Sequence, residues 1–393
     1  MQKFRIVQSQ FNKFMIKEII FFSFGDSNKI STWSNVPFLF CRELEKKSIV
    51  VRRINIEANP QIRHRFNSII YRIYCKIWPQ NICKYERSWL FSLITNYKIK
   101  KAITKYKCAD LCIFCTFSFY NKYSKIPSVL FCDWTFDILI RERLNRNPYF
   151  VESLFIKREN SAINNADLVI SLFPECADKM KADNPNANIS YLGNNVVNSV
   201  YDGQIDEEKI ISDKYNHKRL LFIGNQNNLT YLETARKLVK AFALVKNKID
   251  NVELHIIGID SSTLGFTYDG VSCYGYLHKE YKEECDRYYN LIIQSSLIIN
   301  VTPLWAGYSS IIEAMFYYTP VLVSPFKDFV REFGEDIDFG MYNYSYEIND
   351  IADGICAILS SNDYIKMARK AHYHTKDYTW ENYVNRMLNL VHL

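Results

Sequence analysis

The stretch Ile299–Phe326, INVTPLWAGYSSIIEAMFYYTPVLVSPF, concentrates more chemistry than any other part of the chain. An apolar run ends at Val301, a loop with Pro303 and Gly307 follows, and Ser309 or Ser310 is placed to cap a helix over Ile311–Tyr318. A loop that enters a helix offers free backbone N–H groups and the positive end of the helix dipole, a combination that binds anions. Gly307 permits close backbone approach. Glu313, about one turn in, could accept both hydroxyls of a ribose while the N–H groups hold a diphosphate. The same residues also make a plain capped helix in which Glu313 only offsets the dipole.

Three further groups invite chemistry. Phe131–Asp137, FCDWTFD, ends an apolar run with Asp133, which fits either a sugar or acceptor contact or a cap for a helix over Phe136–Leu144. Cys108, Cys112 and Cys115 have the C-x3-C-x2-C spacing of radical S-adenosylmethionine enzymes. A four-iron cluster needs backbone that can wrap around it. Leu111–Phe119 reads instead as an apolar strand, whose side chains alternate between faces, so buried core thiols are the preferred reading. The seven His residues show no metal spacing with carboxylates, and no P-loop is present.

The elements that would carry these groups alternate. Ile16–Phe24 reads as a strand ending in the turn formers Gly25-Asp26-Ser27-Asn28, followed by a helix over Val36–Lys47 and a strand over Ser48–Ile56. Leu111–Phe119, Pro127–Cys132 and Ala166–Ser171 are further short apolar runs, the last preceded by a charged helix over Val151–Asn165. A polar, Asn-rich stretch from Gly193 to His217 reads as a connection between domains. The pattern then restarts with strands at Arg219–Gly224, Val252–Gly258, Val271–Leu277, Ser296–Val301 and Val321–Ser324, and a long helix at Leu229–Lys246. Short apolar strands separated by helices predict parallel sheets with right-handed crossovers. The fold class is therefore α/β, with two doubly wound sheets and a ligand cleft between them.

In order and spacing these segments resemble the C-terminal half of family 4 retaining glycosyltransferases of the GT-B fold. Ile312-Glu313-Ala314-Met315 followed by Thr319-Pro320-Val321-Leu322-Val323-Ser324 is similar to that family's donor-site signature. Leu221-Phe222-Ile223-Gly224-Asn225 resembles its first C-terminal strand and glycine turn. Val252–Gly258 resembles its second strand, and Val271–Leu277, with Gly275 and Tyr276, the loop that receives the base. Tyr378–Tyr383 resembles the closing helix that crosses back to the N-terminal domain. The likeness covers about residues 160–390, and the first half agrees only in outline.

The resemblance implies transfer of a sugar from a nucleotide-diphosphate donor with retention, without metal or other cofactor. It assigns Glu313 to the ribose and the amides of Tyr308, Ser309 and Ser310 to the phosphates. Gly25, Gly224, Asn225 and Gly307 would lie along the donor, and Asp133 would stand near the transferred sugar. Two positions depart from the pattern. Trp305, or Ala306 with one deletion, stands where another Glu is common; Asn225 and Tyr231 stand where Arg and Lys are common. Asn225, Asn227, Asn228 and Thr230 could hydrogen-bond a phosphate but cannot neutralise it, and Arg236, Lys237 or Lys240 would have to turn into the cleft to do so.

At 393 residues the chain exceeds what one core supports, and the expected division is 1–200 for the acceptor, 201–375 for the nucleotide sugar and 376–393 for the returning helix. Hydrophobic residues make up 48% and charged residues 23%, with 12 Gly and 10 Pro, which excludes disordered and collagen-like chains. No apolar run reaches the roughly 18 residues of a membrane span, and Ile19–Phe24 reads as a strand rather than a signal peptide. Eleven scattered Cys fit a cytosolic chain with buried thiols.

The charge is segregated. Residues 1–130 carry 23 Lys and Arg against 7 Asp and Glu, whereas the remainder carries 26 against 35. The densest basic part, Ile62–Tyr106, alternates cations with Ile, Tyr, Trp and Phe. Such a segment fits an anionic membrane surface, a pair of ordinary solvated helices or, least well, a nucleic-acid backbone. Together these readings point to a cytoplasmic transferase on the inner face of the membrane. Its expected partners are a nucleotide sugar and a glycan acceptor, lipid-linked, in surface polysaccharide (lipopolysaccharide) synthesis. The competing reading is a non-catalytic membrane- or nucleic-acid-binding protein with a degenerate site.

Overall fold

The computed structural model describes residues 16–193, 196–265, 268–303 and 307–391; Asn194, Asn195, Trp305, Ala306 and His392 lie outside them. Twelve described strands form two parallel six-stranded sheets. The first contains β1 (Glu18–Ser23), β2 (Val50–Asn55), β3 (Leu111–Phe114), β4 (Ser128–Cys132), β5 (Leu168–Ser171) and β6 (Ile189–Tyr191), in the order β2-β1-β3-β4-β5-β6. The second contains β7 (Lys218–Ile223), β8 (Val252–Ile257), β9 (Val271–Cys273), β10 (Leu297–Asn300), β11 (Val321–Val323) and β12 (Gly340–Tyr342), in the order β12-β11-β10-β7-β8-β9.

Central strands such as β3, β5 and β10 are buried on both faces, as crossover helices on either side of a parallel sheet require. Both sheets reverse direction of growth, one between β1 and β3, the other between β7 and β10. Loops diverge at such a switch point and leave a crevice at the carboxyl ends of the strands, where ligands of open α/β sheets bind.

Several elements differ from the sequence-based expectation: the strands read over Leu111–Phe119 and Val271–Leu277 stop at Phe114 and Cys273, and two further differences bear on the site. The polar stretch read as a connection, Gly193 to His217, begins two residues after β6 and contains the helix Glu207–Asn216. Lys214 of that helix is fully buried, and its Nζ donates to the carbonyls of Ile292 and Ser295 and to Thr319 Oγ1, so an element of polar composition is tied into the second lobe. The site helix spans Ser309–Phe316, two residues earlier than expected. Tyr308 occupies its N-cap position without a side-chain cap bond, so neither Ser309 nor Ser310 caps it.

The closing helix Trp380–Leu390 leaves the second lobe and packs on the first. Trp380, Tyr383, Val384 and Met387 are buried in the same core as Phe40 and Phe131. Trp380 stacks near Phe40 at 5.5 Å between centroids, and its Nε1 donates to Asn198 Oδ1 at 3.0 Å.

Candidate functional site

A cavity of about 210 Å³ opens between the lobes at the second switch point. Gly224, just past β7, and Ser309, Ser310 and Glu313, on the helix after β10, form its floor. Tyr276 to Glu280, beyond β9, form one wall, and Ser31, Ser34, Asn35 and Asn198 of the first lobe close it from above.

The glycine turns fix this geometry. Gly224 N–H donates to Ile257 O at 2.9 Å, and Gly258 N–H donates to Gly275 O. The turns after β7, β8 and β9 are thereby stitched edge to edge. Gly258 has φ +85°, and a Cβ there would stand 2.1 Å from the Gly224 carbonyl oxygen. Only glycine lets these two turns approach so closely.

Glu313 is 3% exposed. A buried carboxylate needs compensation, and two side chains supply it. Tyr288 OH donates to Oε2 at 2.8 Å, and Lys279 Nζ stands 3.2 Å from Oε1 and 3.4 Å from Oε2. Burial and the neighbouring Glu313 charge hold the Tyr288 hydroxyl far above its usual range, so it remains a donor. The Lys279 ammonium also lies over the Tyr288 ring, 4.1 Å from its centroid. Lys279 and Tyr288 were not legible in the sequence, because they meet Glu313 across 34 and 25 residues of chain.

The first-lobe rim is strained. Trp33, Ser34 and Asn35 have φ of 40°, 52° and 72°, three successive non-glycine residues in the left-handed region. Backbone held this way clusters at functional sites. Ser31 Oγ donates to Glu280 across the cleft at 2.7 Å, and Asn35 Nδ2 donates to Asn198 O at 3.1 Å.

The structure thus brings together Gly224, Tyr276, Ser309, Ser310 and Glu313 of the expected site residues. Gly25, Asn225, Gly275, Gly307, Tyr308 and Asp133 are not among the described residues lining this cavity. Gly25 (φ +96°) shapes the loop that carries Ser31 to Asn35; a Cβ on it would meet Thr32 at 2.9 Å. Asn225 Oδ1 accepts from Asn227 N–H within its own turn. Gly275 supports the turn of Gly258, as above. The Tyr308 side chain is buried against Phe173 and Phe329. Arg236 donates to the carbonyls of Thr263 and Leu264, and Lys237 to that of Tyr346; neither lines the cavity.

Asp133 lines a second cavity, of about 530 Å³, at the switch point between β1 and β3 of the first lobe. Its Oδ1 accepts from Trp134 N–H at 2.8 Å. It does not cap the helix that begins at Phe136; Thr135 does, accepting from Ile138 N–H. Phe24, Phe117, Trp134, Phe136 and Phe155 supply aromatic surface there, and Glu57, Glu86, Glu159, Arg63 and Arg87 supply charge. Burial pushes the Glu159 carboxyl up to about 7, against the stabilising Phe136 N–H and the Arg87 charge. Aromatic faces beside carboxylates suit a sugar, whose C–H faces are apolar and whose hydroxyls donate.

The cysteine triplet does not gather into a cage. Cys108 is exposed, whereas Cys112 and Cys115 are buried, Cys112 on β3 with its thiol pushed up to about 12 by burial. Among the described residues no three His, Cys, Asp or Glu side chains are grouped as metal ligands.

No family model matches the chain, and no curated protein matches its sequence. Solved structures do match. Sucrose-phosphate synthase from Thermosynechococcus elongatus aligns with TM-score 0.58 and 14% identity over 95% of this chain and 98% of its own. Anabaena HepE, in complex with UDP and glucose, aligns with TM-score 0.58 and 14% identity over 96% and 99%. A Listeria monocytogenes protein described as a UDP-N-acetylglucosamine 2-epimerase aligns with TM-score 0.57 and 14% identity over 96% of both chains. At this identity the likeness establishes the architecture, two Rossmann-like lobes facing across a cleft in the GT-B arrangement.

Proposed function

We propose that the protein is a retaining glycosyltransferase that moves a sugar, of hexose type, from a nucleotide-diphosphate donor to a glycan acceptor. The observation that carries this reading is the buried Glu313 one turn inside a helix whose first residues, Ser309 and Ser310, open into the interlobe cavity. A carboxylate at that depth suits a ribose diol, and helix-start amides suit phosphate oxygens. The bond from the sugar's anomeric carbon to the diphosphate breaks, and its electron pair stays on the phosphate oxygen. The amides and local charge stabilise that oxygen where negative charge develops. The acceptor hydroxyl forms the new bond from the first lobe, where the Asp133 cavity would seat it, its proton passes to the departing phosphate oxygen, and lobe closure would exclude water. No metal is assigned a part. A fold shared with a protein described as an epimerase does not fix the chemistry, so the reading rests on the site.

Glu313→Ala tests it. Affinity for the donor nucleotide should fall by about a hundredfold, since losing charged hydrogen bonds to two hydroxyls costs roughly 3 kcal/mol. A thermal-shift screen of nucleotides and nucleotide sugars on wild type and variant reads this directly. Unchanged binding would favour the non-catalytic reading.

The same proposal places the protein on the inner face of the cell membrane, acting on a lipid-linked glycan of a surface polysaccharide. No described helix is long and apolar enough to cross a membrane. Peripheral docking is supported by the first lobe. The helix Trp89–Lys105 exposes Trp89, Leu93 and Tyr97 at successive four-residue steps, and the helices Pro60–Phe66 and Arg72–Ile77 with the turn between them expose Ile62, Ile69, Ile73 and Ile77. Arg65, Arg72, Lys76, Lys100 and Lys101 stand exposed on the same helices. From Ala58 to Ala109 the only acidic residue is Glu86. Exposed rings and aliphatic side chains among cations match the headgroup layer of an anionic bilayer.

A further inference from the structure

We infer that Lys279 is the cation that receives the phosphates of the nucleotide, shared between them and Glu313. This rests on the nucleotide-sugar reading and goes beyond it in assigning the charge of the site. Lys279 is the sole Lys or Arg among the described residues that line the interlobe cavity. Two carboxylates, Glu280 and Glu313, line it as well. Without Lys279 the cavity would carry formal negative charge only, and a nucleoside diphosphate brings more. Helix amides alone do not offset that sum, because a helix start amounts to about half a positive charge.

The geometry suits a shared cation. An ammonium has three donors, and Lys279 directs two at the oxygens of Glu313, which leaves one for a phosphate oxygen. Its ammonium lies over the face of Tyr288 and its side chain is 15% exposed, so the head is held at the cavity wall and not free in solvent. Glu313 meanwhile retains acceptor capacity beyond the bonds from Lys279 and Tyr288, since a carboxylate has about four acceptor positions. Ribose hydroxyls can therefore join Glu313 without expelling Lys279. The 5′-phosphate, covalently tied to that ribose, then falls beside an ammonium already desolvated and positioned. In the empty protein the lysine stabilises a buried carboxylate; with nucleotide bound, the same charge serves both anions.

Titration calorimetry of wild type, Lys279→Met and Lys279→Arg with UDP, ADP and GDP, each beside its nucleoside, tests the inference. Methionine keeps an unbranched chain of similar length and removes the charge. The diphosphate should lose roughly ten- to hundredfold more affinity than its nucleoside in Lys279→Met, the range of a charge-assisted hydrogen bond, and Lys279→Arg should recover most of it. Thermal melts of each variant establish that it is folded. Equal losses for diphosphate and nucleoside, or no loss for either, would overturn the assignment while leaving the nucleotide-sugar reading intact. Failure of wild type to bind any of the three diphosphates would overturn both.

Discussion

Glu313 and Glu159 show how one side-chain type takes two roles through its surroundings. Glu313 is buried beside an ammonium and a phenol hydroxyl, both of which donate to its charged form. Glu159 is 5% exposed, and although Phe136 N–H donates to it and Arg87 is near, burial wins and raises its proton affinity. The consequence for stability has a definite sign. Below the unfolded carboxyl's value near 4.5 both states hold the proton; between there and about 7 the folded state keeps a proton that the unfolded state has lost. Wild type therefore loses up to about 3 kcal/mol of stability through this one group as pH rises across that window. Glu159→Gln keeps an acceptor for Phe136 N–H and cannot ionise. Its unfolding free energy relative to wild type should rise between pH 5 and pH 8 in urea melts, and a flat difference would contradict the assigned value. Glu313 could be picked out in the sequence because a strand, a loop and a helix start lie next to it in the chain. Glu159 could not, since what raises its proton affinity is the packing of a charged-looking helix against the Phe136 turn.

At the scale of elements, much of the architecture was written in local pattern, and the errors have local causes. The long helix Leu229–Lys246 and the strands around it are where the apolar periodicity put them, because each has a periodic face and a clear stop. β6 and β12 are three residues each, too short for alternation to register. The glycine turns were legible one at a time, but not their mutual contact. That contact predicts the effect of Gly258→Ala: a left-handed backbone strained by about 1–2 kcal/mol, plus a displaced Gly224 carbonyl. Stability should fall by at least that amount in denaturant melts, and nucleotide affinity should weaken with it. The exposed stripe of Trp89, Leu93 and Tyr97 predicts the opposite pairing of effects. Replacing Leu93 and Tyr97 by Glu should leave the melting temperature within a degree or two, as surface changes do, yet abolish binding to vesicles containing anionic lipid. Retained vesicle binding would remove the docking face from the proposal.

At the scale of the molecule, the two lobes share an apolar cluster, in which Phe173 meets Tyr308, with polar contacts beside it. Glu175 pairs with Lys327 and Asp178 with Arg331 across the cleft, while Tyr191 and Tyr378 both donate to Glu332. The ion pairs are exposed and contribute little singly. The closing helix is different, since its apolar face is part of the first lobe's core. Trp380→Ala should cost about 3–5 kcal/mol, the range for deleting a buried aromatic, and leave Asn198 without the indole donor. Calorimetric unfolding should show the loss in the first lobe's transition; a loss confined to the second would mean that the helix is not integral to the first.

The order in which the residues are made gives that helix a consequence for biosynthesis. The first lobe contains the strands β1 to β6, but part of its interior comes from residues 380–387, which leave the ribosome only after the strands of the second lobe. Domains ordinarily fold in turn as they emerge. Here the first lobe must wait, with the surface around Phe40 and Phe131 open, until the second lobe has been made. Chaperone demand on the nascent chain follows from this, as does a penalty for any truncation that removes residues 380–387.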